Sequence, residues 1–338
     1  MRRSEFDFYL PPELIAQEPP ARRGFSRMMV VEKRTGKVAD KTFREITEFL
    51  QEGDVIVLND VKVIPARLKG EKKGTGGKVE ILLLKEKDEN IWEVLAKGRK
   101  LKEGAGIIFP REVEAEVIHD LGARKVVRFK APFLLRKILQ EIGEVPLPPY
   151  IKNPTKRSFK KYQTVYARKE GAIAAPTAGF HFTESILKQL QDKGVSIAFL
   201  TLYVGAGTFL PIKTDIIEEH RMEEEYFEVS KETSRIINRS KEKGGRVVAV
   251  GTTVVRTLET VAENGKVYPV QGKTGIFIIP GYKFKIIDVL LTNFHLPSST
   301  PLLLACAFAG RETILKAYRE AVKRKYRFYS FGDAMLII

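Results

Sequence analysis

The sequence predicts an α/β protein. A discontinuous α/β domain, residues 1–60 and 150–338, carries an inserted small β-barrel-like domain, residues 61–149. Three observations predict it. A continuous apolar run, Val55-Ile56-Val57-Leu58, stops at the turn pair Asn59-Asp60. Six short β-rich runs then follow between Val61 and Phe129. A proline-rich stretch, VPLPPYIKNP at 145–154, precedes a return to alternating strands and helices. A linear arrangement of two domains is the alternative to insertion.

Within residues 1–60, Ile46–Leu50 reads as a short helix before the strand at Val55. The six runs are Val61–Leu68, Val79–Leu84, Ile91–Ala96, Gly106–Phe109, Val113–Ile118 and Lys125–Phe129. GEKKGTGG (70–77) and KEKDEN (85–90) separate them as turns, and this spacing suits a small sandwich or barrel. A helix over Phe133–Ile142 precedes the prolines. Thr183 is a plausible N-cap for a helix over Glu184–Lys193, with Gly194 as its stop. Ile197–Val204, Arg246–Val250 and Ile286–Leu291 read as strands. Helices are expected over Val254–Asn264, stopped by Gly265, over Leu302–Phe308, opened by Thr300-Pro301, and over Thr313–Lys325.

Composition narrows the function. Of 338 residues, 43% are hydrophobic, enough for a large core, and the one cysteine excludes an internal disulfide and a cysteine-based zinc site. Cys306 lies in the apolar run Leu302–Ala309 and reads as a packing residue. That run is far short of the ~20 residues of a membrane helix. The opening MRRSEFDFYLPPE lacks the apolar segment of a secretory signal, so a cytoplasmic protein is expected. The net charge of +16 is concentrated: residues 61–150 and 151–171 each carry +6 and residues 311–338 carry +4, whereas 172–310 carries +1. Clustered base suits a polyanion, although solvated surface lysines would look the same.

The near-neutral segment holds three glycine- and threonine-rich loops, in the region where open α/β sheets bind ligands. GAIAAPTAGFHFT (171–183) ends at a helix start, so its backbone N–H groups are approachable; it contains Thr177, Gly179 and His181. LYVGAGTF (202–209) follows a strand and contains Gly205 and Gly207, a weak nucleotide signal or a plain turn. VAVGTTVVR (248–256) runs strand, turn, helix, so amides near Thr252 and Thr253, helped by Arg256, could hold a carboxylate or phosphate. His220 lies in the acidic run EEHRMEEE (218–225), where carboxylates favour imidazolium, and His295 lies just past a strand end. His119 reads as structural. No spacing of His, Cys, Asp or Glu specifies a metal.

These segments form an ordered series with FDFYLPPELIAQEPP (6–20) and Ser26-Arg27, LNDVKVIPARLKG (58–70), GGKVEILLL (76–84), YQTVYA (162–167), IFIIPGYKFKIID (276–288), LLTNFHLPSSTPLLLACAFAGRE (290–312) and YRFYSFGDAML (326–336). Over nearly its whole length the chain resembles the S-adenosylmethionine:tRNA ribosyltransferase-isomerase family of queuosine synthesis. The resemblance implies an enzyme that acts on tRNA carrying 7-aminomethyl-7-deazaguanine at the wobble position. The ribosyl part of S-adenosylmethionine would be transferred and isomerised onto the aminomethyl group, leaving epoxyqueuosine, adenine and methionine. S-adenosylmethionine is then a consumed co-substrate, and no tightly bound cofactor, metal or protein partner is implied. The match is loosest around Ala96–Gly104. The family pattern at His220 is His-x-Met-His; here residue 223 is Glu, so no role is carried to it.

Within that chemistry, His181 and His295 are candidate acid, base or substrate-orienting residues, with His220, Asp60 and Asp333 behind them. Thr177, Gly179, Gly205, Gly207, Thr252, Thr253 and Arg256 are candidates for holding the donor. Lys152, Lys156, Arg157, Lys160 and Lys161, with Arg319, Lys323, Arg324, Lys325 and Arg327, are candidates for tRNA phosphates. Two rivals remain at this level: an RNA methyltransferase, which would want an early glycine-rich loop, and a non-catalytic RNA-binding module, which would not need the Gly/Thr/His loops.

Overall fold

The structure is a computed structural model that describes residues 1–131, 135–205 and 212–338. The chain is α/β and forms two compact units. One comprises residues 1–62, 149–169 and 175–338; the other comprises 63–148 and 170–174.

The strands used below are β1 Arg27–Val31, β2 Val38–Thr42 and β3 Val55–Asn59, then β4 Arg67–Lys72, β5 Lys78–Asp88, β6 Ile91–Lys97, β7 Gly106–Phe109, β8 Val113–Leu121 and β9 Arg124–Lys130. After them come β10 Ser196–Leu202, β11 Glu225–Val229, β12 Val247–Val250, β13 Val270–Thr274, β14 Val289–Asn293 and β15 Ala334–Ile337. The helices are α1 Leu135–Ile142, α2 Lys156–Lys161, α3 Glu184–Asp192, α4 Lys231–Glu242, α5 Thr252–Val261, α6 Thr300–Ala309 and α7 Arg311–Lys323.

In the first unit, nine strands among the described residues form one sheet in the order β13-β11-β10-β3-β12-β14-β15-β1-β2. Its centre is β3, β12, β14 and β15, whose residues are buried throughout, as their largely apolar sequences require. Strands β10, β3, β12 and β14 are parallel neighbours, β15 runs opposite to β14, and β1 is parallel to β15. One core packs Ile56, Leu58, Val248, Val250 and Leu291 against Phe43, Phe182, Ile186 and Leu190. Thr183 caps α3 by accepting from the Ile186 N–H at 3.2 Å, and Gly194 ends it at φ +85°.

In the second unit, six strands close a barrel in the order β9-β6-β5-β4-β7-β8. Alternate residues such as Val79, Ile81, Leu83, Trp92 and Val94 fill it.

Several boundaries differ from the sequence reading. Val61–Leu68 is interrupted, because Pro65 has no N–H to give: a short strand ends at Val63 and β4 begins at Arg67. KEKDEN is mostly strand, and the hairpin turns only at Glu89-Asn90, with Asn90 at φ 59°. Helix α5 ends at Val261 rather than near Asn264; Asn264 and Gly265, both at positive φ, turn a two-residue hairpin instead. Thr300 is the first residue of α6, after Ser299. Strands β1, β2, β11, β13 and β15 and helices α2 and α4 were not anticipated.

Candidate active site

Strand direction brings the motif segments together. The carboxyl ends of β10, β3, β12 and β14 share one edge of the sheet with the starts of β15 and β1, because the latter two run opposite. That edge therefore holds Tyr203–Gly205, Asn59-Asp60, Gly251-Thr252-Thr253, Asn293-Phe294-His295, Asp333 and Ser26-Arg27. The short helical turn Thr177–His181 is tied to the same edge. Thr177 donates its hydroxyl to Asn293 Oδ1 at 3.0 Å, and Ala178 lies beside Gly251, where an added Cβ would meet it at 3.5 Å.

His181 is buried, 3% exposed, with its ring stacked on Phe43. Nδ1 lies 2.6 Å from Ser26 Oγ and Nε2 3.2 Å from Asn293 Nδ2. The orientation of the Asn293 amide is set independently: Thr177 donates to its oxygen, and its nitrogen also donates to the Tyr329 carbonyl at 3.3 Å. Nδ2 therefore donates to Nε2, and the histidine proton sits on Nδ1, facing Ser26. Burial, with Arg327 and Arg23 adding to it, pushes the imidazole down to about 3. His181 is a neutral ring with both nitrogens occupied.

His295 differs. Nε2 lies 2.7 Å from Thr292 Oγ1, and the backbone N–H donates to Tyr318 Oη at 3.0 Å. Nδ1 has no protein partner among the described residues. Burial pushes this imidazole down to about 3 as well, so it too is neutral.

Asp60 is buried; Thr201 donates to Oδ1 at 2.7 Å, and Arg168 donates to Oδ2 from Nη2 at 3.0 Å and Nε at 3.3 Å. It lines a cavity of about 610 Å³ with Arg168, Phe199, Thr201, Glu228 and Ser230. Asp333 accepts two backbone N–H groups, from Arg27 at 3.0 Å and Arg327 at 2.8 Å, and burial raises its carboxyl. It fastens the start of β1 to the turn before β15. His220 rests edge-on against Phe277, and burial lowers its pKa, so the imidazolium expected from its acidic neighbours is not what its surroundings favour.

Of the donor-holding candidates, Thr252 and Thr253 open α5, whose first-turn amides face the edge, and Asn59 Nδ2 reaches Thr253 Oγ1 at 3.4 Å. Gly205 donates its N–H to Glu225 at 2.8 Å. Arg256 is buried and ion-paired with Glu225, and also donates to the carbonyls of Ile276 and Thr274. Its guanidinium is thus held by protein groups on three sides. Gly179 packs where a Cβ would lie 2.0 Å from Tyr166 Oη. Gly207 lies outside the described residues.

Lys152, Lys156, Arg157 and Lys160 are exposed on and before α2, with Lys161 half-buried; Arg157 also donates to the Pro20 carbonyl. Arg319, Lys323 and Lys325 are exposed, and Arg327 is half-buried beside Asp333. Arg324 is bound to Asp40 and Glu320, so it is a structural residue before it is a phosphate contact. Burial pushes the Cys306 thiol up to about 12, and among the described residues no three His, Cys, Asp or Glu side chains are grouped to hold a metal.

Sequence reasoning gave no role to Ser26, Asn59, Asn293 or Arg168. One signal was available: the two buried strands VIVLN and VLLTN both end in asparagine, a polar residue closing an apolar run.

Comparison with known proteins shows the family of the chain. The family described as queuosine biosynthesis protein matches residues 3–337. Proteins named S-adenosylmethionine:tRNA ribosyltransferase-isomerase are similar over their full length and that of this chain, at 52% identity in Caldanaerobacter subterraneus subsp. tengcongensis and 53% in Acetivibrio thermocellus. A solved structure, the S-adenosylmethionine tRNA ribosyltransferase from Thermotoga maritima, is 40% identical, with 99% of this chain and 100% of that one covered and a TM-score of 0.57. The chain belongs to the queuosine biosynthesis protein family.

Proposed function

We propose that this chain is an S-adenosylmethionine:tRNA ribosyltransferase-isomerase working at the sheet edge described above. The observation that carries the reading is the convergence there of segments scattered from Ser26 to Asp333, around two neutral histidines. S-adenosylmethionine serves as a consumed ribosyl donor, with no tightly bound cofactor. The acceptor is the aminomethyl group of 7-aminomethyl-7-deazaguanine at the wobble position of tRNA, and the products are epoxyqueuosine in tRNA, adenine and methionine.

The chemistry needs a base, because the sulfonium acidifies the adjacent 5′ C–H bonds, and a proton donor as adenine leaves. His295 suits proton transfer. Its Nε2 is anchored on Thr292 and its Nδ1 is open, so the neutral ring can take a proton there and, as the imidazolium so formed, pass it on. His181, closed on both sides, orients Ser26 and the Thr177–His181 turn. The first-turn amides of α5 at Thr252 and Thr253 suit the donor's methionine carboxylate. Asp60, held by Arg168 and Thr201, lines the adjoining cavity. The tRNA backbone would meet Lys152, Lys156, Arg157, Lys160, Lys161, Arg319, Lys323 and Lys325. No helix among the described residues is long and apolar enough to cross a membrane, which suits a cytoplasmic site of action.

The test is a product assay with S-adenosylmethionine and tRNA bearing the aminomethyl base. Free adenine and methionine, with the matching mass gain in the wobble nucleoside, are expected. S-adenosylhomocysteine in their place would make the protein a methyltransferase and end the proposal.

A further inference from the structure

The excess positive charge of residues 61–150 is not spread evenly over the barrel. It gathers in two loops, one joining β4 to β5 and one joining β6 to β7. The first reads Lys72-Lys73-Gly-Thr-Gly-Gly-Lys78, and the second runs from Lys97 through Arg99, Lys100 and Lys102 to Gly106. Barrel closure sets them side by side, since β4 pairs with both β5 and β7. They are also bonded to each other: Lys72 Nζ donates to the Lys100 carbonyl at 3.0 Å, and the Lys73 N–H donates to the Gly106 carbonyl at 2.9 Å. Leu101, 4% exposed, anchors the second loop in the barrel core.

A groove of about 1000 Å³ opens beside them, with Lys72, Lys78 and Lys97 along it and Ile108, 42% exposed, on its floor. Lys69 and Lys73 are neutralised by Glu144 and Glu114. Lys78, Lys97 and Arg99 are exposed and form no ion pair among the described residues. The acids on the groove are Glu80, already close to Arg67, and Glu71. Gly74 and Gly76, both at positive φ, have nothing within 4 Å of an added Cβ, so the turn leaves open space for a close partner, while its Thr75 and Gly76 N–H groups are already donated to the Lys72 carbonyl. Exposed cations without an ion pair among the described residues, beside an open glycine turn and with no exposed aromatic ring in the groove, suit a phosphodiester chain read by charge rather than base by base.

We propose that this groove is a second binding surface for the sugar-phosphate backbone of the tRNA substrate, contributing affinity but no chemistry. The proposal rests on the reading of tRNA as substrate. Its test is the triple variant Lys78→Gln, Lys97→Gln, Arg99→Gln. A control of equal net charge, Lys188→Gln, Lys231→Gln, Lys266→Gln, takes exposed lysines from α3, α4 and a hairpin of the other unit. Binding of unmodified tRNA is measured against salt concentration, and steady-state kinetics are run with the aminomethyl substrate.

The groove variant is expected to bind tRNA on the order of tenfold more weakly. Each lost phosphate contact lowers the salt slope by about 0.9, so the slope should fall by about two to three. The KM for tRNA should rise while kcat and the KM for S-adenosylmethionine hold, and the control should match the wild type. A groove variant with wild-type affinity and slope overturns the inference, as does a control that weakens equally. Failure of the functional reading is separate: it would appear as wild-type protein that binds tRNA with the expected slope but releases no adenine.

Discussion

Asn293 donates its side-chain amide to Nε2 of His181 at 3.2 Å, and this contact decides which imidazole nitrogen carries the proton. The asparagine is itself held by Thr177 and by the Tyr329 carbonyl, so it cannot turn over without losing both. Asn293→Asp replaces that donor by an acceptor and should move the histidine proton to Nε2, breaking its donation to Ser26. Nitrogen NMR of the imidazole should show the tautomer change, and turnover should fall by about 10²-fold or more in a protein that still folds. A wild-type rate with the altered tautomer would remove His181 from the account.

The two depressed histidines make stability depend on pH. His181 and His295 are pushed from 6.5 to about 3 in the folded chain, chiefly by burial. In the unfolded chain they bind protons near pH 6.5, so between about pH 6.5 and 3 the unfolded state holds more protons than the folded one. Stability should therefore be complete above that window and decline as pH falls through it. Denaturant titrations across pH should show this decline, and it should be shallower in His295→Gln.

Gly179 has no room for a side chain. A Cβ there would lie 2.0 Å from Tyr166 Oη and 2.8 Å from Thr164 Cγ2. Gly179→Ala should cost about 1–3 kcal/mol through overpacking and shift the turn that carries His181. Removing the phenol oxygen in Gly179→Ala/Tyr166→Phe should recover part of the stability and of the turnover. Thermal melting and kinetics of the two variants check this; a double variant no better than the single one would mean that the turn is distorted for another reason.

Arg256 and Glu225 form a buried ion pair whose carboxylate also accepts from the Gly205 N–H. Arg256→Met leaves that carboxylate without its cation and should destabilise the chain by about 3–5 kcal/mol. If the pair is structural, the KM for S-adenosylmethionine of the protein that remains folded should be unchanged. A raised KM with intact stability would assign Arg256 to donor binding.

The fold was legible where local pattern decides it. Val55–Leu58 and Val289–Leu291 are unbroken apolar runs, and Thr183 and Gly194 mark the two ends of α3. Strands such as Val270–Thr274 and Val38–Thr42 escaped because they lie toward the edges of the sheet, where sequence must serve solvent as much as core. The loops of the site were legible as glycine- and threonine-rich turns at strand ends. Their partnerships were not: Arg168 finds Asp60 across 108 residues, and Ser26 finds His181 across 155. The same distance hid the Glu225 that occupies Arg256, which in sequence had looked free to bind an anion.

The most direct measurement of the account is single-turnover adenine release from S-adenosylmethionine by His295→Gln, using saturating aminomethyl-base tRNA and protein shown to be folded. The open Nδ1 of His295 is assigned the proton transfer, so release should slow by about 10²- to 10⁴-fold while tRNA affinity is unchanged. Release at the wild-type rate would contradict that assignment and move the proton-transfer step away from this histidine.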